Sequence, residues 1–160
     1  MSELRTTEKT ETLSEDINTI TAEINAYQRV AGEAIFEIGR RLKHVKENDL
    51  AHGEFGKWLE SVNMSQTQSD RFMRVYREFG EGKYPTLGNM GLAAMYEIAT
   101  LPPEHRNSEH TTSKGETKTP DEMTVKELRE LKRSLKEEQE ARERAERLAE
   151  ESVDRAELSE

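Results

Sequence analysis

The chain has 160 residues and a formal net charge of −9, with 36% charged and 32% hydrophobic side chains and no cysteine. So little apolar material cannot bury the whole chain in one core, and part of it is expected to be solvated helix, assembly segment or tail. The absence of cysteine excludes disulfides, zinc-thiolate sites, iron–sulfur clusters and cysteine nucleophiles. No stretch approaches the roughly 18 apolar residues of a membrane span, and the acidic start is neither a signal nor a transit peptide, so a cytoplasmic protein is expected.

The charge is uneven. Residues 1–20 carry 5 acids against 2 bases, 21–101 carry 11 against 10, 102–120 carry 3 of each, and 121–160 carry 14 against 9. The total argues against indiscriminate nucleic-acid binding, but the nearly neutral middle leaves room for a local basic face.

Residues 1–13 read as a disordered polar leader. A long amphipathic helix is expected over 14–49, opened by a Thr12/Glu15 capping box or by Ser14. Its apolar stripe runs Ile17, Ile20, Ile24, Tyr27, Ala31, Ile35, Ile38, Leu42 and Val45, and Asn48 and Asp49 end it. A single stripe of about eight turns needs a partner surface, either the following domain or a second copy of the chain.

Residues 50–103 read as a helix-turn-helix domain. A short helix over 53–61 offers Phe55, Trp58, Leu59 and Val62 on one side, and Asn63 and Met64 break it. Ser65 is suited to cap a second helix over 66–79, with Phe72, Val75 or Tyr76, and Phe79 inward and Gly80 and Gly82 after it. Pro85 and Gly88 mark a turn-rich link. A last short helix over 91–100 places Leu92, Met95, Ile98 and Ala99 inward, and Pro102 and Pro103 close the domain. Trp58 beside Leu59 reads as core rather than as a base-stacking platform. Met64, Met73, Met90 and Met95 read as gap-fillers.

Residues 104–121 are nearly devoid of apolar side chains and read as a flexible linker. Thr124 with Glu127 forms a capping box that opens a charged C-terminal helix within 122–160. Residues 126–151 hold 17 charged side chains, and Leu128, Leu131 and Leu135 space a heptad seam that decays afterwards. That seam suggests a coiled coil, against the plainer reading of a solvated helix held by charge pairs. The fold class expected is therefore all-α, with dimerisation through Ile17, Ile20 and Ile24 and through Leu128, Leu131 and Leu135.

In a helix-turn-helix the second helix lays its N-terminal half in the major groove. Short polar side chains there reach base edges, and basic ones meet phosphate. Here that places Ser65, Gln66, Thr67, Gln68 and Ser69 against bases or backbone, and Arg71, Arg74 and Arg77 against phosphate. Gln pairs with adenine and Arg with guanine. Asp70 among them repels phosphate unless Arg71 or Arg74 pairs with it.

The segments 20–39 (ITAEINAYQRVAGEAIFEIG), 40–80 (RRLKHVKENDLAHGEFGKWLESVNMSQTQSDRFMRVYREFG), 92–106 (LAAMYEIATLPPEHR) and 118–131 (KTPDEMTVKELREL) resemble a family from phages, plasmids and other mobile elements of Gram-positive bacteria, known as domain of unknown function 3102. The resemblance implies a mobile-element origin. The family's helix-turn-helix part is similar to those of plasmid partition and repressor proteins, which implies DNA binding. It implies no reaction and no ligand. Where the family carries an Arg-Thr-Ala type run, this chain has Gln66-Thr67-Gln68-Ser69-Asp70, a change that bears on DNA affinity or sequence preference.

No metal or cofactor is expected. His44 and His52 lack a closed ligand set, His105 and His110 read as solvated, and there is no GxxxxGK[ST], HExxH or GxSxG pattern. The reading is a non-enzymatic protein binding double-stranded DNA as a homodimer. The alternative is a protein-interaction factor of a mobile element that modulates a host or phage protein.

Overall fold

The computed structural model describes residues 12–80 and 90–159, so residues 1–11 of the leader, the link at 81–89 with Gly82, Pro85 and Gly88, and Glu160 lie outside the described residues. The fold is all-α. In chain order it has α1 (Ile17–Glu47), α2 (Phe55–Ser61), α3 (Gln66–Phe79), α4 (Leu92–Ala99), a two-stranded hairpin, β1 (His110–Thr111) with β2 (Thr117–Lys118), and α5 (Val125–Leu158). The hairpin pairs His110 with Lys118 and Thr111 with Thr117, antiparallel.

Helix α1 starts later than the sequence suggests. Neither Thr12 nor Ser14 caps it. The Asp16 carboxylate does, accepting from the Thr19 hydroxyl (2.8 Å) and from the Asn18 and Thr19 amides. Two backbone donors and a hydroxyl satisfied by one carboxylate make this the stronger cap. The same donors, the Thr19 hydroxyl first, hold the Asp16 carboxyl below its ordinary range.

The ends of α1 and α2 share one device. After α1, Asp49 takes a left-handed φ of 48°, Leu50 donates to Val45 O (3.0 Å) and Asp49 to Lys46 O (3.3 Å). After α2, Asn63 takes φ 57°, Met64 donates to Leu59 O (3.0 Å) and Asn63 to Glu60 O (3.1 Å). Both are paired-bond C-caps in which Asp or Asn tolerates the left-handed residue. Val62 becomes the C-cap of α2 and lies half in solvent rather than in the core.

Two apolar clusters meet along α3. One joins Leu42 of α1, Leu59 of α2, and Phe72 and Met73 of α3, with Phe55, Trp58 and Met64 packed on it. The other joins Val75 and Phe79 of α3, Met95, Ile98 and Ala99 of α4, Leu101, Met123 and Leu128. Val75, not Tyr76, is the buried member of that pair of α3 positions. Helices α1 and α3 approach closely because Gly39 has no side chain: a Cβ there would lie 2.3 Å from Phe72 O and 2.7 Å from Tyr76 Cβ.

Residues 104–121 are not a bare linker. Pro103–His105 and Pro120–Glu122 form 3-10 turns, the hairpin lies between them, and Pro120 is buried. Arg106 anchors the stretch. Its guanidinium is buried, donating to Leu101 O (3.1 Å), Ala99 O (2.9 Å) and Glu78 Oε2 (3.0 Å) while lying 5.5 Å from the Phe79 ring centre. Polar composition concealed this because the anchoring contacts are hydrogen bonds to two carbonyls and a carboxylate, not apolar burial.

Helix α5 opens with the expected Thr124–Glu127 capping box. Leu128 is fully buried in the cluster of its own chain, and Leu131 and Leu135 pack on it. That corrects the expected dimer seam, because a side chain consumed by the internal core is not available to a second copy. Glu97 of α4 fastens the same turns through Arg129 (3.3 Å) and Lys132 (2.9 Å).

Candidate nucleic-acid interface

The α2–turn–α3 unit controls what α3 presents. Ser65 caps α3 by accepting from the Gln68 amide (3.1 Å). Leu59, Phe72 and Met73 hold the far side of the unit against α1. What faces solvent is therefore the first turn of α3: Ser65, Gln66, Thr67 and Gln68 are all exposed. The Gln66 amide reaches Asp70 Oδ1 at 3.4 Å, and Asp70 itself is exposed.

Ser69 does not belong with them. It is completely buried on the inner face of α3, and its hydroxyl has no hydrogen-bond partner. It lies three and four residues before the inward Phe72 and Met73, on the side of α3 that faces the core. It cannot touch DNA in this conformation.

The three arginines separate. Arg77 is exposed. Arg74 pairs with Glu78 at 3.5 Å, beyond good hydrogen-bond geometry, and its Nε is buried without a hydrogen bond. Arg71 is half-buried over the Tyr96 ring, 5.2 Å from its centre, with the Lys132 ammonium also near that ring at 5.6 Å. Neither arginine pairs with Asp70.

The structure adds cations that were not singled out from the sequence. The last two turns of α1 read Arg40-Arg41-Leu42-Lys43-His44-Val45-Lys46. Leu42 turns into the core and the bases turn outward beside α3. Lys43 lies over the Tyr76 ring at 5.8 Å and Lys46 over the Phe55 ring at 5.7 Å. A groove between α1 and α3 is lined by Lys43, Lys46 and Arg77 against Glu47 and Asp70. A second hollow is lined by Arg40, Arg41, Lys43 and His44 against Glu47. Glu37 engages Arg41, and this hydrogen bond holds the Glu37 carboxyl below its ordinary range. The clue was the run RRLKHVK itself, four fixed charges around one inward leucine.

Of the expected dimer residues on α1, Ile17 and Ile24 are exposed and Ile20 is half-buried. Among the described residues no group of three or more His, Asp or Glu side chains is arranged to hold a metal ion. No helix among them is long and apolar enough to cross a membrane.

No curated protein and no solved structure matches this chain. The profile of the family described as protein of unknown function (DUF3102) matches residues 7–99, which takes in α1 to α4 and stops before the Arg106 anchor and α5. The chain therefore belongs to the DUF3102 family.

Proposed function

We propose that this protein is a sequence-specific DNA-binding protein of a phage or plasmid, acting in transcription, replication or partition, and that α2 and α3 form its helix-turn-helix. Gln66, Thr67 and Gln68 read base edges, Ser65 and the free amides at the start of α3 meet phosphate, and Arg77 with Arg40, Lys43 and Lys46 supplies the remaining backbone contacts. The observation that carries the reading is the pairing of an exposed polar first turn of α3 with a basic run on the adjacent end of α1. Arg74 has a smaller part, since its Nε is buried, and Arg40 and Lys43 exchange their carboxylate partners Glu37 (3.7 Å) and Glu47 (3.5 Å) for phosphate.

Binding to own-locus and random DNA, followed by fluorescence anisotropy at low and physiological salt, tests this. Locus-selective binding with a steep salt slope is expected. Gln66→Ala or Gln68→Ala should cost about 1–3 kcal/mol at one base pair. Lys43→Ala or Arg77→Ala should weaken all sequences alike and reduce the salt slope by about 1. Ser69→Ala should leave binding unchanged. No binding at low salt overturns the proposal.

A second reading, a protein-interaction factor of a mobile element, is favoured by one feature. Residues 136–159 of α5 hold 9 acids against 5 bases and are all exposed. A helix of that character suits a basic host or phage protein, and pull-down with and without this segment distinguishes the two readings.

A further inference from the structure

We infer that the exposed N-terminal half of α1 is one strand of a parallel two-stranded coiled coil with a second copy of this chain. The internal core takes one face of α1, through Gly32, Gly39 and Leu42 with Ile35 and Phe36 beside them. A second stripe lies on a neighbouring face: Ile17, Ile20, Ile24, Tyr27, Ala31, Ala34 and Ile38. Its steps alternate 3 and 4, a heptad repeat maintained from 17 to 38. Tyr27 is 74% exposed, Ile17 71% and Ile24 52%. Ala31, Ala34 and Ile38 stay exposed even where α1 lies on the body, so the stripe is open except at the half-buried Ile20.

The segment is poorly suited to stand alone. Of residues 17–31, six are β-branched (Ile17, Thr19, Ile20, Thr21, Ile24 and Val30), and Asn18, Asn25 and Tyr27 are also weak helix formers. Helical order there calls for a packed face. The other long exposed helix segment, 136–159, has no comparable apolar stripe among the described residues, whereas a second α1 matches the first in length and spacing. In a parallel, in-register pair the flanking positions 16 and 21, and 23 and 28, of opposite copies meet. They hold Asp–Thr and Glu–Gln, with no like charges opposed. An antiparallel pair over the same stripe brings position 16 to 37, Asp against Glu.

The inference does not rest on DNA binding. The test is the solution mass of the full chain by light scattering or sedimentation, with no DNA present. A mass twice the 18.4 kDa of one chain is expected, and Ile20→Asp with Ile24→Asp should return it to one chain. Because these two side chains are not in the body's core, the double variant should retain cooperative unfolding. Since the chain has no cysteine, Ile17→Cys introduces its sole thiol, and oxidation should link two copies at that position. One-chain mass at every concentration overturns the inference, as does a doubled mass that survives the aspartates. A doubled mass without the cross-link overturns the parallel register. Failure of DNA binding with a doubled mass overturns the proposed function and leaves this inference standing.

Discussion

The first half of α1 and the second half of α5 both run through solvent, yet their chemistry is opposite. No side chain from 17 to 31 is buried, and none from 136 to 159. The α1 segment is rich in β-branched residues and carries an apolar stripe. Residues 136–158 are mostly Glu, Arg, Ala, Leu, Lys and Gln, strong helix formers, with Ser152, Val153 and Asp154 the exceptions. They place Glu138, Glu140, Glu143 and Glu151 four residues before Arg142, Arg144, Arg147 and Arg155, the favourable order for helix charge pairs. The Gln139 amide donates to Glu143 across one such turn (3.2 Å). A helix can therefore leave a protein body in two ways: one segment supports itself from its own surface, and the other requires a surface from outside.

Breaking the anchor of either helix should have the largest effect. Leu128 joins α5 to the core, so Leu128→Ala should destabilise the body by about 2–5 kcal/mol in urea unfolding. Gly39 lets α1 reach α3, so Gly39→Ala should cost about 1–3 kcal/mol, the methyl meeting backbone rather than a movable side chain. A loss under ~0.5 kcal/mol at Gly39 would show that α1 shifts freely on α3.

The two solvent-borne segments respond differently to change. Deleting residues 139–160 should remove helix signal in circular dichroism but change body stability by less than about 0.5 kcal/mol. Ile24→Ala separates lone from paired helix by sign. Alanine is the better helix former, so a lone α1 gains helicity, whereas a paired one loses its seam and its helicity. The second outcome is expected, and Leu148→Ala in α5 should show no such loss.

The smallest effect concerns the foot of α5, where Lys118 of β2 donates to Glu127 (3.1 Å) and pairs with Glu116 (3.3 Å). The Thr124 amide first, then Lys118, holds the Glu127 carboxyl below its ordinary 4.5, and Glu127 with Glu116 raises Lys118 above 10.5. A lowered acid stabilises above its unfolded value and loses that as pH falls through the folded one. A raised base stabilises below its unfolded value and loses that as pH climbs past the folded one. The small difference in melting temperature between the wild type and Lys118→Met should therefore be constant between 4.5 and 10.5 and vanish on the acid side below that window.

Local chemistry was legible in the residues. The Ser65 cap, the Thr124–Glu127 box, the ends of α1 and α2 at Asn48–Asp49 and Asn63–Met64, and the inward Phe72 and Phe79 follow from spacing, capping and turn propensity, which act over a few residues. The candidate interface was half legible. Gln66, Thr67, Gln68 and Arg77 are exposed, whereas Ser69 is inside and the cations of α1 come beside α3 only through the packing of the two helices. Periodicity gives the angle of a residue around its own helix, but not which neighbour covers that angle.

The amino-acid pattern alone was enough for an all-α protein and for where its helices begin and end to within a few residues. Which apolar residues the internal core takes depended on the packing. Leu128 went to the core and Ile17 did not, although both head a heptad-spaced run, because a stripe's partner is set by elements distant in the chain. Arg106 turned a polar stretch into a folded connector for the same reason: its three acceptors, Ala99, Leu101 and Glu78, come together only when α3, α4 and the connector pack.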